Sequence, residues 1–484
     1  MSHAIEGLQP ARVWYYFSEI SKIPRGSKNE KAISNYVVSM AKQFGLEVQQ
    51  DKYMNVVVRK PASVGRERVP MVCLQGHLDM VCEKNNDTVH DFTKDPIELI
   101  RDGNTLMANG TTLGADNGIA VATNLALMED RSLEHGPIEF LFTVDEETGL
   151  TGATFISPKA LKSKTMMNLD SEEEGSIFVG CSGGRNTAGV WTITREKTPK
   201  GYSGIKIAVK GLVGGHSGLE IEKGRGNSIK ILNRVLMALD SAGARLVSFD
   251  GGNKTNAIPR EAEAVLCLPQ KSMKKAIKIV TEWNDIIAAE LSTVEPSVQV
   301  SMENTDAKKF SIIKKNQQAA IYKTISALPH GVLKMSADIP GLVETSTNVA
   351  VIRTTKSKIE LITSQRSSVA TEITESLQTM NSIFTLAGAK VRHTEGYPGW
   401  KPNLQSPILK VAENSYRMLF NKEPEVKAIH AGLECGIIGE KYPGMDMISF
   451  GPTMVGVHSP DEKIYIDTVE KFYNFLLSIL KNIN

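Results

Sequence analysis

The sequence lacks the features that mark membrane, disulfide-rich and nucleic-acid-binding proteins. No apolar run is long enough to span a bilayer, and residues 1–18 contain no apolar core of the kind that a signal peptide needs. The five cysteines are scattered and form no CxxC pair, so we expect neither a disulfide framework nor a thiolate zinc site. Free thiols fit a reducing cytoplasm. The net charge of +2 gives no indication of a nucleic-acid or membrane partner.

The composition is that of a globular protein with more than one domain. Hydrophobic residues make up 41% of the chain and charged residues 23%, which are ordinary values for a soluble fold. A chain of 484 residues is too long for one ordinary hydrophobic core. We therefore expect two or more domains.

The order of helices and strands predicts an α/β domain that is interrupted by a second domain. Helical spacing over 10–20 and 27–44 precedes strands with continuous apolar runs, and α/β character returns near the end of the chain. The middle carries two successive sets of strands and helices. We predict an α/β domain with a mixed sheet flanked by helices from residues 1–187 and 392–484. An inserted α+β domain with a duplicated unit would occupy residues 188–391.

The stretch MVCLQGHLDM, at residues 71–80, contains the first candidate site residues. An apolar strand ends at His77, and residues two apart on a strand share a face, so Asp79 should point the same way. A metal-bound histidine usually donates its other ring N–H to a carboxylate. This pair can supply a ligand and its orienting partner, but the same pattern also fits an ordinary surface loop.

Further acidic residues follow predicted strands or precede a helix. Asp116 comes directly before a predicted helix and could simply cap it, although the nearby glycines indicate an unusual turn or a close backbone approach. Another strand runs into Glu146 and Glu147, whose charges repel one another unless cations or solvent neutralise them. A further apolar strand ends in Asp170.

Five candidate residues, including His458 near the end of the chain, share a position at a strand end or a helix start, where open α/β sheets bind ligands. Imidazole and carboxylate ligands suit zinc, and cobalt or manganese is feasible. Two histidines and three carboxylates exceed the needs of one tetrahedral zinc, but they suit two metals with one bridging carboxylate, as in many hydrolases. The candidate ligands are His77, Asp116, Glu147, Asp170 and His458.

The motifs around these residues resemble those of a known enzyme family. GHLDM, GADNG, DEETG, NLDSEEEG, GGHSG and VHSP resemble the di-zinc metallopeptidase superfamily that includes aminoacylase and carnosinase. Within it, KNNDTVHDFTKDPI, GTTLGADNGI, NAIPREA, YPGW and HAGLECG resemble the bacterial aminoacyl-histidine (Xaa-His) dipeptidase branch. The matching motifs run from Ser27 to Pro460, so the resemblance covers nearly the whole chain.

The resemblance implies a metal-binding role for each candidate ligand. His77 and Asp170 would hold one zinc ion. Glu147 and His458 would hold the other, and Asp116 would bridge the two ions.

The resemblance also implies the base and its surroundings. Glu146 would be the general base, and Asp79 would orient His77. The peptide bond after Asp116 is often cis in this family.

Four further residues match substrate-binding positions of the family. His216, on a glycine-rich loop, would donate to the oxyanion, although a mobile surface histidine is the alternative. Asn256 would contact the substrate, and Arg366 would clamp its C-terminal carboxylate. Gly432 would offer a backbone contact from the α/β domain. The inserted domain would act as a lid whose closure brings His216 and Arg366 over the metals.

The sequence therefore predicts a cytoplasmic di-zinc dipeptidase that hydrolyses unblocked dipeptides, including Xaa-His peptides of the carnosine type. An N-acyl amino acid amidohydrolase with the same metals and base is the nearest alternative. A non-catalytic binding module is disfavoured because Glu146 and all five ligands are present. We expect a homodimer, with His216 acting either within its own chain or across the interface. The sequence indicates no role for Glu434.

Overall fold

The structure is a computed structural model that describes residues 3–307 and 310–484. The chain forms two compact units. Unit 1 comprises Met1–Gly180, Trp400–Ala428 and Leu433–Asn484, and unit 2 comprises Cys181–Gly399 and Ile429–Gly432. None of the helices in the described part of the chain combines the length and the apolar character that crossing a membrane requires. The predicted domain boundaries stay a prediction.

The α-helices and strands are numbered in chain order. The helices are α1 (Ala11–Ile20), α2 (Lys31–Gln43), α3 (Ala115–Glu129), α4 (Glu146–Gly149), α5 (Thr151–Phe155), α6 (Ser228–Asp240), α7 (Met273–Glu290), α8 (Lys315–Ala327), α9 (Ala370–Leu386), α10 (Pro407–Phe420), α11 (Glu434–Lys441) and α12 (Ile466–Asn482). The strands before residue 200 are β1 (Glu47–Gln50), β2 (Val56–Lys60), β3 (Val72–His77), β4 (Leu99–Asp102), β5 (Thr105–Ala108), β6 (Ile138–Thr143), β7 (Thr165–Asn168), β8 (Ser176–Cys181), β9 (Gly183–Thr192) and β10 (Arg195–Lys197). The later strands are β11 (Tyr202–Lys210), β12 (Gly215–His216), β13 (Arg245–Gly251), β14 (Ala257–Ile258), β15 (Ala262–Pro269), β16 (Gln299–Thr305), β17 (Ser311–Ile313), β18 (Gly331–Met335), β19 (Val343–Thr354), β20 (Lys358–Ser367), β21 (Lys390–His393), β22 (Glu425–Ile429), β23 (Asp446–Ser449), β24 (Met454–Val455) and β25 (Lys463–Tyr465).

Local sequence explains where several helices begin. The side chain of Asn227 accepts the backbone N–H groups of Ile229 and Lys230 and so caps α6. Ser406 caps α10 in the same way, and proline follows at the first helical position. The helix expected over 27–44 begins later, at Lys31.

A mixed eight-stranded sheet forms the centre of unit 1. Its strand order is β1-β2-β6-β3-β7-β23-β8-β22. The neighbouring strands β6, β3, β7 and β23 run parallel, whereas β1 and β2 pair antiparallel with their neighbours and β8 pairs antiparallel with β23. Every residue of β2, β3 and β6 is buried. The predicted α/β class with a mixed sheet is confirmed.

Unit 2 contains two βαββαβ sets that share one antiparallel sheet. One set is β11-α6-β13-β15-α7-β16, and the other is β9-α8-β19-β20-α9-β21, with the first set inserted after β9. The strand order of the sheet is β16-β11-β15-β13-β19-β20-β9-β21. If each strand is named by its place in its own set, the order counted from one edge is the same as the order counted from the other edge. The two sets meet where β13 pairs with β19. The topology therefore repeats, as the prediction of a duplicated α+β unit requires.

Candidate active site

Three neighbouring parallel strands of unit 1 bring candidate residues to one edge of the sheet. β3 ends at His77 itself, β6 ends three residues before Glu146, and β7 ends two residues before Asp170. Because parallel neighbours end on the same side, these segments leave the sheet together. Asp116 joins them from the start of α3, and His458 joins them from the turn after β24.

Asp116 lies between the two histidines. Its Oδ1 is 3.1 Å from Nε2 of His77, and its Oδ2 is 3.1 Å from Nε2 of His458. Each histidine has a second carboxylate beside it. Nε2 of His77 is 3.3 Å from Oδ1 of Asp170, and Nε2 of His458 is 2.9 Å from Oε2 of Glu147. The structure thus brings all five candidate ligands together in two groups that share Asp116.

The donor set fits a pair of cations. One donor atom each from His77, Asp116 and Asp170 lies within 4.8 Å of the others, and the same holds for Asp116, Glu147 and His458. Among the described residues, the buried atoms Oε1 of Glu147 and Oδ1 of Asp170 have no hydrogen-bond partner. Burying such atoms unpaired is costly, so cations would satisfy them.

The charges at this edge of the sheet also favour bound cations. Burial raises the pKa of Asp170 to about 6 and also raises the pKa of Glu147, and the negative charge of Asp116 adds to both shifts. The side chain of His77 is 1% exposed, whereas that of His458 is 52% exposed. Positive ions among these carboxylates would favour their ionised forms.

Asp79 does more than its predicted role requires. Its Oδ1 is 3.5 Å from Nδ1 of His77. The same carboxylate accepts the backbone N–H groups of Glu146 (3.0 Å) and Glu147 (3.3 Å), and the hydroxyl of Ser27 (2.7 Å). Asp79 therefore holds the first turn of α4 beside His77, which the sequence did not indicate. Ser27 therefore does not cap α2, and Lys28, whose φ is 71°, lies outside that helix.

Glu146 is the first residue of α4. Burial raises the pKa of its carboxyl well above the ordinary value; the positive charge of His77 opposes this shift, and the negative charges of Asp170, Glu434 and Glu147 add to it. A carboxylate with a raised pKa is a stronger proton acceptor than a solvated one.

The peptide bond between Asp116 and Asn117 is cis, in agreement with the expectation from the resemblance.

Glu462 and Arg25 hold the turn that leads into Asp116, and sequence reasoning missed both. The Glu462 carboxylate accepts the four consecutive backbone N–H groups of residues 113–116 at 2.7–3.3 Å. The buried Arg25 guanidinium donates to the carbonyl oxygens of Asp79 (3.0 Å) and Gly114. The sequence contains one weak indication of Glu462, namely its position four residues after the candidate ligand His458.

A buried polar network lies behind the strand ends. The carboxylate of Glu434 accepts the side-chain amide of Gln75 (2.7 Å) and the hydroxyl of Thr143 (2.6 Å), and burial raises its pKa to about 7. The amide of Asn168 donates to Gln75 at 2.5 Å. Gln75 and Asn168 were visible in the sequence as polar residues in apolar strands, each two positions before a candidate ligand.

The candidate substrate-binding residues lie in unit 2. His216 forms β12, and its Nε2 is 3.4 Å from Nη2 of Arg366 on β20. Burial and the charge of Arg366 lower the pKa of His216 to about 4, so its ring is neutral near pH 7. Asn256 and His216 both line a cavity of about 910 Å³. Gly432 lies against the ring of Tyr397.

Comparison with known proteins decides the family. Residues 73–482 match peptidase family M20/M25/M40. The chain belongs to this family. It is 41% identical over 477 residues to the cytosol non-specific dipeptidase of Escherichia coli (strain K12), with 98% of each chain covered. The predicted membership of this metallopeptidase family of hydrolases is confirmed.

Solved structures agree with this assignment. The crystal structure of the aminoacylhistidine dipeptidase from Vibrio alginolyticus matches with a TM-score of 0.91 and 40% identity, covering 99% of this chain and 98% of that one. The aminopeptidase PepT from Bacillus cereus ATCC 10987 matches with a TM-score of 0.58 and 17% identity, covering 98% and 99%. The second likeness shows the fold alone.

Proposed function

We propose that the protein is a di-zinc dipeptidase that hydrolyses unblocked dipeptides, including Xaa-His peptides. The observation that carries the proposal is the placement of Asp116, with one oxygen toward His77 and the other toward His458. Such a shared carboxylate is the arrangement that two-metal hydrolases use. The names of the Escherichia coli and Vibrio alginolyticus relatives support a dipeptide substrate.

His77 and Asp170 would hold one zinc ion, Glu147 and His458 would hold the other, and Asp116 would bridge them. The grouping of their donor atoms supports this assignment. Cobalt or manganese can use the same nitrogen and oxygen donors. When bound, the metal pair would lower the pKa of a water molecule and polarise the scissile carbonyl group.

Glu146 would act as the general base. It would take a proton from the attacking water and pass it to the leaving amine, which requires a carboxylate that can hold the proton between the two steps. Asp79 would keep Glu146 in place through the bond from the Glu146 backbone N–H. Asp79 would also orient the proposed ligand His77, since Nδ1 of His77 lies 3.2 Å from the backbone carbonyl oxygen of Asp79 and 3.5 Å from its carboxylate.

Unit 2 would bind the rest of the substrate. The neutral ring of His216 can donate one N–H to the developing oxyanion. Arg366 would bind the C-terminal carboxylate of the dipeptide, and Asn256 would provide a further contact. The resemblance assigns a backbone contact to Gly432. His216 and Arg366 of one chain lie 3.4 Å apart, so the two would contact the same substrate. A homodimer and a cytoplasmic location stay predictions; the name of the Escherichia coli relative includes the cytosol.

The test is the release of free histidine from Ala-His and β-Ala-His by zinc-loaded protein, with N-acetyl-histidine assayed in parallel. We expect turnover of the unblocked dipeptides and little turnover of N-acetyl-histidine. Turnover of N-acetyl-histidine alone would instead assign an amidohydrolase with the same metal site. Loss of dipeptide turnover on chelation and its return with zinc would tie the activity to the metals.

A further inference from the structure

The guanidinium of Arg366 is held along one edge by the hydroxyl of Tyr397. Nη1 of Arg366 donates to that hydroxyl at 2.9 Å, and Arg366 as a whole is 6% exposed. Its Nε is buried and has no hydrogen-bond partner among the described residues. The contact of Nη2 with His216 is long, at 3.4 Å. The edge formed by Nε and Nη2 therefore remains for a carboxylate, which a guanidinium binds through two parallel N–H groups.

Two glycines set the position of the Tyr397 ring. A Cβ atom on Gly184 would lie 2.9 Å from the ring carbon Cζ and the hydroxyl oxygen, and one on Gly432 would lie 2.7 Å from the ring carbon Cε2. Neither glycine has a positive φ, so backbone conformation does not require glycine at either position. Close approach of the tyrosine ring does require it.

Backbone pairing connects Gly184 with both Arg366 and Tyr397. Gly184 lies opposite Arg366 in the pairing of β9 with β20. Tyr397 and Gly184 exchange two backbone hydrogen bonds of 3.0 Å. The tyrosine hydroxyl, the two glycines and the arginine are thus in mutual contact within unit 2.

We propose that Tyr397 is a positioning residue that directs Arg366 toward the C-terminal carboxylate of the substrate, and that Gly432 acts by leaving room for the Tyr397 ring. This inference rests on the proposed dipeptidase function. It changes the role of Gly432, which the family resemblance assigned to a backbone contact with substrate. It also gives a role to Tyr397, which the sequence showed only as part of the motif YPGW.

The first test compares Tyr397→Phe with the wild type on Ala-His and on Ala-His amide. The variant keeps the ring and removes only the hydroxyl. On Ala-His we expect KM to rise about tenfold, because Arg366 would no longer be held in place for the carboxylate, while kcat changes by less than about twofold. On the amide, which has no carboxylate, we expect the variant and the wild type to be equal. Tyr442→Phe is the matched control, because it removes a tyrosine hydroxyl that donates to the carbonyl of Ser157.

The second test is a double-mutant cycle of Gly432→Ala and Tyr397→Ala. If Gly432 acts through the ring, Gly432→Ala reduces kcat/KM in the wild type and adds little in the Tyr397→Ala protein, where the space is free. If Gly432 contacts substrate independently, the two losses multiply. Thermal melts and metal content would be measured for each variant.

The outcomes separate this inference from the proposed function. A wild-type protein that turns over no dipeptide would contradict the proposed function, and the inference would fall with it. An active wild type with an unchanged Tyr397→Phe protein would overturn the inference alone. So would an equal loss on Ala-His and on its amide, because the hydroxyl would then act on something other than the carboxylate.

Discussion

The carboxylate of Glu462 accepts the backbone N–H of Asp116 at 3.3 Å. The same carboxylate accepts the three preceding N–H groups of the turn. Since Glu462 follows His458 by four residues, it connects the segment of one proposed metal ligand to the turn of another. A single side chain can thus fix the separation of two ligands that lie 342 residues apart in the sequence.

Glu462→Gln is expected to weaken zinc binding. The amide is nearly the same size, but one of its two terminal groups is a donor and would face backbone N–H groups. The turn would have to shift, and with it Asp116. Loss of such outer partners typically lowers metal affinity about 10- to 100-fold.

A competition titration with a chromogenic chelator measures this affinity. Glu470→Gln, on the exposed side of α12, is the matched control. Unchanged zinc affinity in Glu462→Gln would show that the bonds to this turn do not position Asp116.

The proposed bridge predicts different metal contents for two variants. Asp116→Ala removes a ligand from both proposed sites, whereas His458→Ala removes a ligand from one. After dialysis at limiting zinc, we expect His458→Ala to keep about one ion per chain and Asp116→Ala to lose most of both. Elemental analysis by mass spectrometry gives the number directly. Two retained ions in Asp116→Ala would argue against a bridge.

His330 is expected to make the protein sensitive to acid. Burial, aided by the charge of Lys230, lowers the pKa of this histidine from 6.5 to about 4. Between these values the unfolded chain binds a proton that the folded chain does not, so the free energy of unfolding falls as pH falls from 6.5 toward 4. One such group contributes up to about 1.4 kcal/mol per pH unit.

Urea unfolding at pH 7 and pH 5, at a fixed zinc concentration, tests this expectation. His330→Gln should lose less stability between the two pH values than the wild type does. His3→Gln is the control, because the side chain of His3 is 98% exposed. If all three proteins lose the same free energy, His330 does not contribute to acid sensitivity.

The local sequence pattern was sufficient to predict helices and strands that are stabilised by residues close to them in sequence. The spacing predicts a helix over 228–239, and α6 spans Ser228–Asp240 because Asn227 caps it and its apolar face is continuous. The apolar run that ends at His77 is β3, which lies between the parallel strands β6 and β7 and is buried along its whole length, as a continuous apolar run predicts. The grouping of His77, Glu147 and Asp170 follows from the ends of β3, β6 and β7.

Contacts between residues far apart in the sequence could not be predicted from local pattern. Glu434 meets Gln75 across 359 positions, and Glu462 binds backbone N–H groups, which carry no residue signature. The helix α11 was not expected either, since Gly436 and Gly439 lower its intrinsic propensity. Burial of Cys435 and Ile438 offsets that disadvantage.

The central claim is that Glu146 is the base of a two-metal dipeptidase, and the most direct measurement is Ala-His turnover by Glu146→Gln together with zinc content per chain. The account predicts two zinc ions retained and a fall in kcat of about 10²- to 10⁴-fold, the range for removal of a general base. Turnover within about twofold of the wild type, at full zinc occupancy, would contradict the account, because another group would then be moving the proton.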